Sequence, residues 1–238
     1  MMQNASDMGR TEEGRNYYAA GLNATNLVRV YETSIPRVTR YLEEEIAFVR
    51  RGLHGGELVL EVAAGYGRIM KSLAANVAEI DGIDISPANV AYGEEYLKDY
   101  PNCRLFVMDI HEMRLERKYD VALCLQNGLS AVKGDALGTI KSVLATLRPG
   151  GRAYFSTYSD RFWEHRLQWF AEQSAKGLLG EIDYDRSGDG KIVCKDGFTA
   201  TTFGEEDLRG FGDASGYPYR LELVDESSLF LIVERPGS

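Results

Sequence analysis

This sequence predicts an α/β fold built around a doubly wound, mostly parallel sheet, and three observations lead to that prediction. Five short apolar runs recur between residues 58 and 158. Segments with helical periodicity or helix-capping residues lie between those runs. Turns that contain glycine or proline separate the two kinds of segment. Strands that alternate with helices form parallel sheets, whose strands are buried on both faces and therefore read as continuous apolar runs.

The elements of this core can be assigned in chain order. The strands are expected at Leu58–Val62, Glu79–Ile85, Cys103–Met108, Tyr119–Leu125 and Arg152–Tyr158. Helices are expected at Arg68–Ala75, from Ser86 to about Tyr100, and at Asp135–Leu147. The second helix starts with a serine cap followed by proline, which fits the first helical position. Pro149-Gly150-Gly151 is expected to end the third helix.

Three regions are expected along the chain. Residues 1–54 form an N-terminal helical cap, with one amphipathic helix from Thr33 to Arg51. Residues 55–158 and 203–238 form the α/β core, and its last part contains a helix and two strands (Gly204–Ala214, Tyr219–Val224 and Ser228–Val233). Residues 159–202 form an insertion, in which a helix at Asp160–Lys176 precedes a β-hairpin of Glu181–Tyr184 and Lys191–Thr202. The insertion is expected to cover a ligand or to contact a second copy of the chain.

Composition narrows the classes of partner. The formal net charge is −9 and the pI is near 5.0, so a negative field opposes binding to nucleic acid. The three cysteines are scattered and match no disulfide or zinc pattern, which favours a reducing cytoplasm and no metal site. No apolar run approaches the roughly 20 residues of a membrane-spanning helix, so we expect a soluble protein without a membrane partner.

The turn after the first strand is the strongest candidate for a ligand site. Small residues at Ala63, Gly65 and Gly67 allow a ligand to approach the backbone closely. A dinucleotide site would have a third glycine where Met70 stands, and Glu61 would repel its pyrophosphate. A cationic nucleoside without phosphates tolerates an acid better. An ordinary strand-to-helix turn is the alternative interpretation.

Acidic residues end the next two strands as well. Asp84, followed by Ile85, ends the second strand, where a carboxylate can accept hydrogen bonds from ribose hydroxyls. Asp109 ends the third strand, where it can accept from an adenine amino group while Met108 and Ile110 enclose the ring. Helix capping for Asp84 and an exposed turn for Asp109 are the alternatives. The three acids in this order favour a pocket for a positively charged nucleoside.

These segments together resemble the class I S-adenosylmethionine-dependent methyltransferases over roughly residues 55–158 and 203–234. The resemblance lies in Val59-Leu60-Glu61-Val62-Ala63-Ala64-Gly65-Tyr66-Gly67, Gly82-Ile83-Asp84-Ile85-Ser86, Met108-Asp109-Ile110, Tyr119-Asp120-Val121-Ala122 and Leu147-Arg148-Pro149-Gly150-Gly151. It implies a seven-stranded sheet whose last strand inserts antiparallel. The family often has Gly or Cys followed by a polar residue where this chain has Ala63-Ala64, a departure we expect to cost little because alanine is small.

The resemblance also implies roles for individual residues. Glu61 and the backbone around Ala63, Gly65 and Gly67 would hold the methionine portion of S-adenosylmethionine. Asp84 would bind the ribose and Asp109 the adenine amine. Leu125, Gln126 and Asn127 would border the sulfonium and the substrate pocket. Tyr17 lies in a segment that covers the cofactor in many similar enzymes, although packing of an amphipathic helix explains it equally well.

The expected activity is methyl transfer to nitrogen or oxygen of a small-molecule acceptor, with S-adenosyl-L-homocysteine as product. Tyr158 and Trp163 are candidates for contacting the acceptor, and His165 is the candidate base, with a structural role as its alternative. Methylation of a protein side chain and a non-catalytic S-adenosylmethionine-binding module are the competing interpretations. A homodimer through the insertion is a further expectation.

Overall fold

One seven-stranded sheet organises the computed structural model, which describes residues 24–237. The strands within that range are β1 (Leu58–Val62), β2 (Glu79–Asp84), β3 (Cys103–Val107), β4 (Tyr119–Cys124), β5 (Leu147–Tyr158), β6 (Ile192–Val193), β7 (Thr199–Ala200), β8 (Tyr219–Val224) and β9 (Ser228–Glu234). Strands β6 and β7 pair separately as a short antiparallel hairpin. The other seven form the main sheet, which confirms the predicted doubly wound fold.

Helices cover both faces of this sheet or pack beside it. In chain order they are α1 (Thr25–Tyr31), α2 (Pro36–Arg51), α3 (Arg68–Leu73), α4 (Pro87–Tyr96), α5 (Gly128–Ala131), α6 (Ala136–Ala145), α7 (Trp163–Ala175) and α8 (Glu205–Ser215). Single 3₁₀ turns occur at Ala74–Asn76, Ile110–Glu112, Asp160–Phe162 and Tyr184–Arg186. None of the helices between residues 24 and 237 has both the length and the hydropathy needed to cross a membrane.

The strand order places a ligand crevice in the middle of the sheet. Across the sheet the order is β3-β2-β1-β4-β5-β9-β8, and strands β1 to β5 are parallel. The direction of winding reverses between β1 and β4, and ligands of such sheets bind outside the carboxyl ends of the strands at that point. Strand β9 inserts antiparallel between β5 and β8, as the resemblance implies.

Several element boundaries differ from the prediction by one to five residues, and two of these differences have clear local reasons. Strand β5 starts at Leu147 instead of Arg152, because Leu147 pairs with Tyr119 before a register shift in the ladder. The Pro149-Gly150-Gly151 segment is therefore an irregular part of a strand. Helix α2 starts at Pro36 because Ile35 is extended (φ −87°, ψ 108°), the conformation that a following proline imposes.

The predicted hairpin of the insertion forms within a shorter segment. Strands β6 and β7 pair inside residues 191–202, whereas the expected strand at 181–184 contributes a single bridge between Ile182 and Cys194. The hydroxyl of Ser187 donates to the Asp183 carbonyl oxygen (2.7 Å) and accepts from the Val193 amide (3.0 Å). A side chain thus replaces part of the strand ladder, a competition that serine often wins in turns.

Three apolar clusters stabilise this arrangement. Two of them cover the two faces of the main sheet, around Met70, Leu73 and Ile80 on one face and Leu60, Ile140 and Phe155 on the other. The third cluster joins α1 and α2 to the insertion, and its buried members include Val30, Tyr41, Phe162, Trp169, Phe170, Ile192 and Phe198. The third cluster therefore forms a layer, which we call the roof, that covers the carboxyl ends of the strands.

Candidate functional site

A cavity lies between the carboxyl ends of the strands and this roof. One side of it, which we call the sheet wall, is formed at the ends of β1 to β4 by Glu61, Ala63, Ala64, Gly65, Arg68, Asp84, Ile85, Met108, Asp109, Ile110, Leu125 and Gln126. The opposite side, which we call the aromatic wall, is formed by Val30, Tyr31, Tyr158, Trp169, Phe170, Gln173, Phe198 and Ala200. Asn127 also lines the cavity, between the two walls.

The turn after β1 has an unusual backbone that explains its small residues. Ala63, Gly65 and Gly67 have φ angles of 55°, 57° and 83°. A Cβ on Gly65 would lie 2.9 Å from Cδ2 of Leu27, a flexible side-chain end that can move, so glycine is needed there mainly for its conformation. Ala63 occupies the left-handed region, which costs an alanine about 1–2 kcal/mol. The expectation that its small size makes it inexpensive is therefore corrected.

Gly67 has a different role from the one predicted for it. It is absent from the described lining of the cavity, and a Cβ there would lie 2.6 Å from the Leu97 side chain. The residue instead starts helix α3 and lets α3 pack closely on the segment that follows α4. Its contribution to a ligand site is the shape of the turn.

The carboxylate of Asp84 holds the sheet wall together. One oxygen accepts from the Gly65 amide (2.9 Å), and the other accepts from the Ser86 amide (2.9 Å) and the Asn89 side-chain amide (3.0 Å). The Asn89 carbonyl in turn accepts from the Ala24 amide (2.7 Å). A carboxylate has about four lone-pair positions, so this arrangement leaves about one for a ligand hydroxyl.

The end of β3 supplies a narrower slot beside Asp84. The Met108 amide donates to the Asp84 carbonyl oxygen (2.9 Å), which fixes the chain where β3 ends. Asp109 then caps the next turn by accepting from the His111 amide (2.8 Å). Met108 and Ile110 both line the cavity, and Ile85 is 41% exposed, which leaves an apolar surface open to a planar ring. The structure thus brings the three predicted strand ends together.

Several polar atoms of the sheet wall are buried without a hydrogen-bond partner among residues 24–237. They are Oε2 of Glu61, Nε and Nη2 of Arg68, and Nε2 of Gln126. Burial raises the pKa of Glu61 to about 8, while the Arg68 guanidinium lowers it and Asp84 raises it. Unpartnered buried polar atoms cost about 1–3 kcal/mol each, so the set indicates that a ligand completes their hydrogen bonds.

Arg68 is a residue of the sheet wall that the sequence did not point to. It is the first residue of α3, and its guanidinium lies 4.5 Å from the centre of the Tyr31 ring. The available signal was a basic residue directly after a glycine-rich turn, where a side chain can reach the ligand that the turn accommodates. The positive charge lies on the same wall as Glu61.

Asn127 connects the two walls. Gln126 and Asn127 are both left-handed (φ 54° and 59°), a conformation that asparagine tolerates better than most residues. The Asn127 amide donates to the Thr201 carbonyl oxygen (2.8 Å), and its own oxygen accepts from the hydroxyls of Thr157 (3.0 Å) and Thr202 (3.1 Å). The insertion is thereby attached to β5 and to the end of β4.

The structure corrects two predicted residues of the aromatic wall. Trp163 and His165 are not among the residues that line the cavity, and the His165 ring instead packs 5.7 Å from the Phe162 ring. Helix α7 turns Arg166, Trp169, Phe170 and Gln173 inward, a set spaced by three and four residues. Tyr17 lies outside the described residues. The remaining predicted contacts, Tyr158 and Asn127, line the cavity.

The known proteins that this chain resembles in sequence are methyltransferases. Residues 59–151 match a family described as "Methyltransferase domain". Malonyl-[acyl-carrier protein] O-methyltransferase 1 from Ilyobacter polytropus is 28% identical over 169 residues, which span 70% of this chain and 59% of that protein. The match thus covers less than two thirds of the relative's length.

Solved structures of low sequence identity share the fold. A DhpI–SAH complex has a TM-score of 0.67 at 20% identity, covering 97% of this chain and 98% of the other. Magnesium protoporphyrin IX methyltransferase (ChlM) from Synechocystis, with bound SAM, has a TM-score of 0.64 at 18% identity, covering 94% and 96%. At these identities the similarity establishes a common architecture.

Proposed function

We propose that this chain is a class I S-adenosylmethionine-dependent methyltransferase that transfers a methyl group from S-adenosylmethionine to a small-molecule acceptor. The observation that carries the proposal is the set of buried polar atoms on the sheet wall that have no hydrogen-bond partner in the described part of the chain. An amino acid bears a carboxylate and an ammonium group. Arg68 can donate to the carboxylate, and the carboxyl of Glu61, once ionised, can accept from the ammonium group.

The rest of the sheet wall fits the nucleoside portion of the same ligand. Asp84 would accept from a ribose hydroxyl through its remaining lone pair. Asp109 would accept from the adenine amine, with Met108 and Ile110 against the ring. When bound, S-adenosylmethionine supplies a methyl group activated by its sulfonium.

The protein's contribution to the transfer is alignment and exclusion of water. In-line displacement needs the nucleophile, the methyl carbon and the sulfur to lie in one line. Holding them in that arrangement lowers the activation free energy by about several kcal/mol. Asn127 fixes the loop between the two walls, and the aromatic wall shields the centre from solvent. The enclosure between α1 and α7 favours a small acceptor over the side chain of a folded protein.

Three finer aspects remain predictions. The charge of the whole chain argues against nucleic acid as acceptor, and the cysteine pattern favours the cytoplasm. The aromatic insertion at 159–202 suits a homodimer contact as well as a lid. A non-catalytic S-adenosylmethionine-binding module is the competing function, and a methyl-transfer assay separates it from an enzyme.

Calorimetric titration tests the proposal through the amino-acid portion of the ligand. S-adenosylhomocysteine should bind and NAD should not. Arg68→Met should weaken S-adenosylhomocysteine about tenfold to a hundredfold, since a charged hydrogen bond is lost. 5′-Methylthioadenosine lacks both the carboxylate and the ammonium group, so its affinity should stay within about twofold. Arg114→Met, at an exposed arginine, is the matched control.

Two outcomes would count against this assignment. Preferential binding of NAD would overturn the proposed function. Equal weakening of S-adenosylhomocysteine and 5′-methylthioadenosine by Arg68→Met would show that Arg68 supports the fold of the turn and not the carboxylate.

A further inference from the structure

The guanidinium of Arg68 lies against an aromatic ring of the opposite wall. Its central carbon is 4.5 Å from the centre of the Tyr31 ring, and both residues line the cavity. The two residues come from distant segments, since Tyr31 ends α1 and Arg68 starts α3. An aromatic ring attracts a cation that lies over its face. The contact therefore joins the aromatic wall to the residue that is proposed to bind the carboxylate of the donor.

This contact orients Arg68 without using its hydrogen-bond donors. A ring attracts the positive charge as a whole and forms no hydrogen bond with a particular N–H group in this arrangement. Nε and Nη2 of Arg68 are buried and have no hydrogen-bond partner among residues 24–237. A guanidinium in this state can still bind a carboxylate through two parallel hydrogen bonds.

Arg68 has a competing partner on its own wall. Glu61 lines the same part of the cavity, and its Oε2 is buried without a hydrogen-bond partner in the described part of the chain. The Arg68 guanidinium lowers the pKa of this carboxyl, although burial outweighs that effect. A direct ion pair between the two groups would occupy the donors that a ligand carboxylate needs and the acceptor that an ammonium group needs.

Helix α1 is fixed at both ends, which holds the Tyr31 ring in place. Before its first residue, the Ala24 amide donates to the side-chain oxygen of Asn89 (2.7 Å). Near its end, the Val30 carbonyl oxygen accepts from the indole N–H of Trp169 (3.0 Å). The Tyr31 ring also packs beside the Trp169 ring, with 6.4 Å between their centres. The position of the Tyr31 ring is therefore supported by contacts other than the one with Arg68.

Resting on the proposed function, we propose that Tyr31 is a positioning residue whose ring keeps the Arg68 guanidinium apart from Glu61. Each of the two charged groups then stays available for its own end of the amino-acid portion of the donor, Arg68 for the carboxylate and Glu61 for the ammonium group. Without the ring, the guanidinium would turn toward the Glu61 carboxyl, because buried polar groups without partners are costly.

Calorimetry of the full chain with two ligands tests this role. Tyr31→Leu should weaken S-adenosylhomocysteine about threefold to thirtyfold, as expected for the loss of a partly desolvated cation–π contact. The affinity for 5′-methylthioadenosine, which has neither carboxylate nor ammonium group, should change by less than about twofold, which also shows that the variant is folded. Tyr31→Phe keeps the ring and should bind both ligands within about twofold of the unaltered chain. Tyr100→Leu, which removes a ring 5.3 Å from Nζ of Lys71 outside the described lining of the cavity, is the matched control.

A double-mutant cycle shows whether Tyr31 acts through Arg68. In the Arg68→Met chain, Tyr31→Leu should weaken S-adenosylhomocysteine by less than about a further twofold. Proton release on binding gives a readout that a loss of packing alone would not change. In Tyr31→Leu, an ion pair with Arg68 would already lower the pKa of Glu61 from about 8 before the ligand binds. Binding of S-adenosylhomocysteine should therefore release fewer protons than in the unaltered chain.

The outcomes separate this inference from the proposed function. Failure of the unaltered chain to bind S-adenosylhomocysteine overturns the proposed function and the inference with it. If the unaltered chain binds it, four results overturn the role of Tyr31 alone. They are an equal change in affinity for the two ligands in Tyr31→Leu (including no change in either), an equal loss in Tyr31→Phe, a loss that persists in the Arg68→Met chain, and an unchanged proton release.

Discussion

The two walls of the cavity differ in whether their buried polar atoms already have hydrogen-bond partners. Among residues 24–237, buried polar atoms of Glu61, Arg68 and Gln126 on the sheet wall have no hydrogen-bond partner, as in a site that a polar ligand completes. On the aromatic wall, Trp169 already donates its indole N–H to the Val30 carbonyl oxygen (3.0 Å). That wall is packed, and its described members are mainly aromatic and apolar. The difference indicates that affinity for the donor and choice of acceptor can be altered separately.

The largest effect is expected from breaking the sheet wall at Asp84. Asp84→Ala removes the acceptor of three hydrogen bonds as well as a ligand contact. Bonds to a charged group are worth about 1.5–3 kcal/mol each, so we expect S-adenosylhomocysteine affinity to fall at least about a hundredfold in calorimetry. Asp135→Ala removes an aspartate cap at α6 and should leave affinity unchanged. Retention of affinity in Asp84→Ala would assign Asp84 a purely structural role.

A smaller effect is expected at the junction between the walls. Asn127→Ala removes the contacts with Thr157, Thr201 and Thr202 and places alanine at φ 59°. Chemical denaturation should show a loss of about 2–4 kcal/mol in the free energy of unfolding. Asn127→Gly removes the same contacts without the backbone strain, so its loss should be about 1 kcal/mol smaller.

The same two variants test whether the sheet wall depends on the aromatic wall. Hydrogen exchange of residues 199–202 should accelerate in both, while S-adenosylhomocysteine affinity should change by less than about threefold. A large loss of affinity in Asn127→Gly would mean that the two walls form a single cooperative unit.

The smallest expected effect is the release of a proton from the sheet wall when the ligand binds. The pKa of Glu61 is about 8 in the ligand-free protein, so its carboxyl is largely protonated at pH 7. An adjacent ammonium group should lower that pKa and release about one proton on binding. Calorimetry in buffers of different ionisation enthalpy measures this release. Glu61→Gln should abolish it, and 5′-methylthioadenosine should not cause it.

The raised pKa of Glu61 also sets the direction of a pH effect on stability. The pKa is above its ordinary value of 4.5, so the folded state binds the proton more tightly than the unfolded state does. The corresponding stability is fully present below pH 4.5 and is lost as the pH rises to about 8. Glu61→Gln should therefore stabilise the ligand-free protein more at pH 8 than at pH 5, as measured by thermal unfolding.

The sequence predicted the sheet wall well because its signals are local. Strands β1 and β8 have the predicted bounds, and the acids Glu61, Asp84 and Asp109 converge because parallel strands end at one edge. The turn after β1 and the short helix α3 that follows it likewise depend on residues that are close together in the sequence. Arg68 was missed although it stands next to the recognised turn.

The aromatic wall was harder to predict because it depends on contacts between distant segments. Its members come from α1, β5 and the insertion, which includes α7, and only their packing in the third apolar cluster decides which face of α7 turns inward. Composition alone could not choose between Trp163 and Trp169. The hairpin was misplaced for a related reason, since the Ser187 hydroxyl competes with the strand ladder.

The position of β9 has a consequence for biosynthesis. This strand pairs with β5 along its whole length, and Phe230, Leu231, Ile232 and Val233 are fully buried, yet it follows β1 to β8 in the chain. While the ribosome synthesises the insertion and α8, the open edge of β5 has no partner. Unpaired apolar edges of this kind promote aggregation of nascent chains. A polypeptide truncated before Ser228 should therefore precipitate or be bound by chaperones, even though every residue of the sheet wall has already been made.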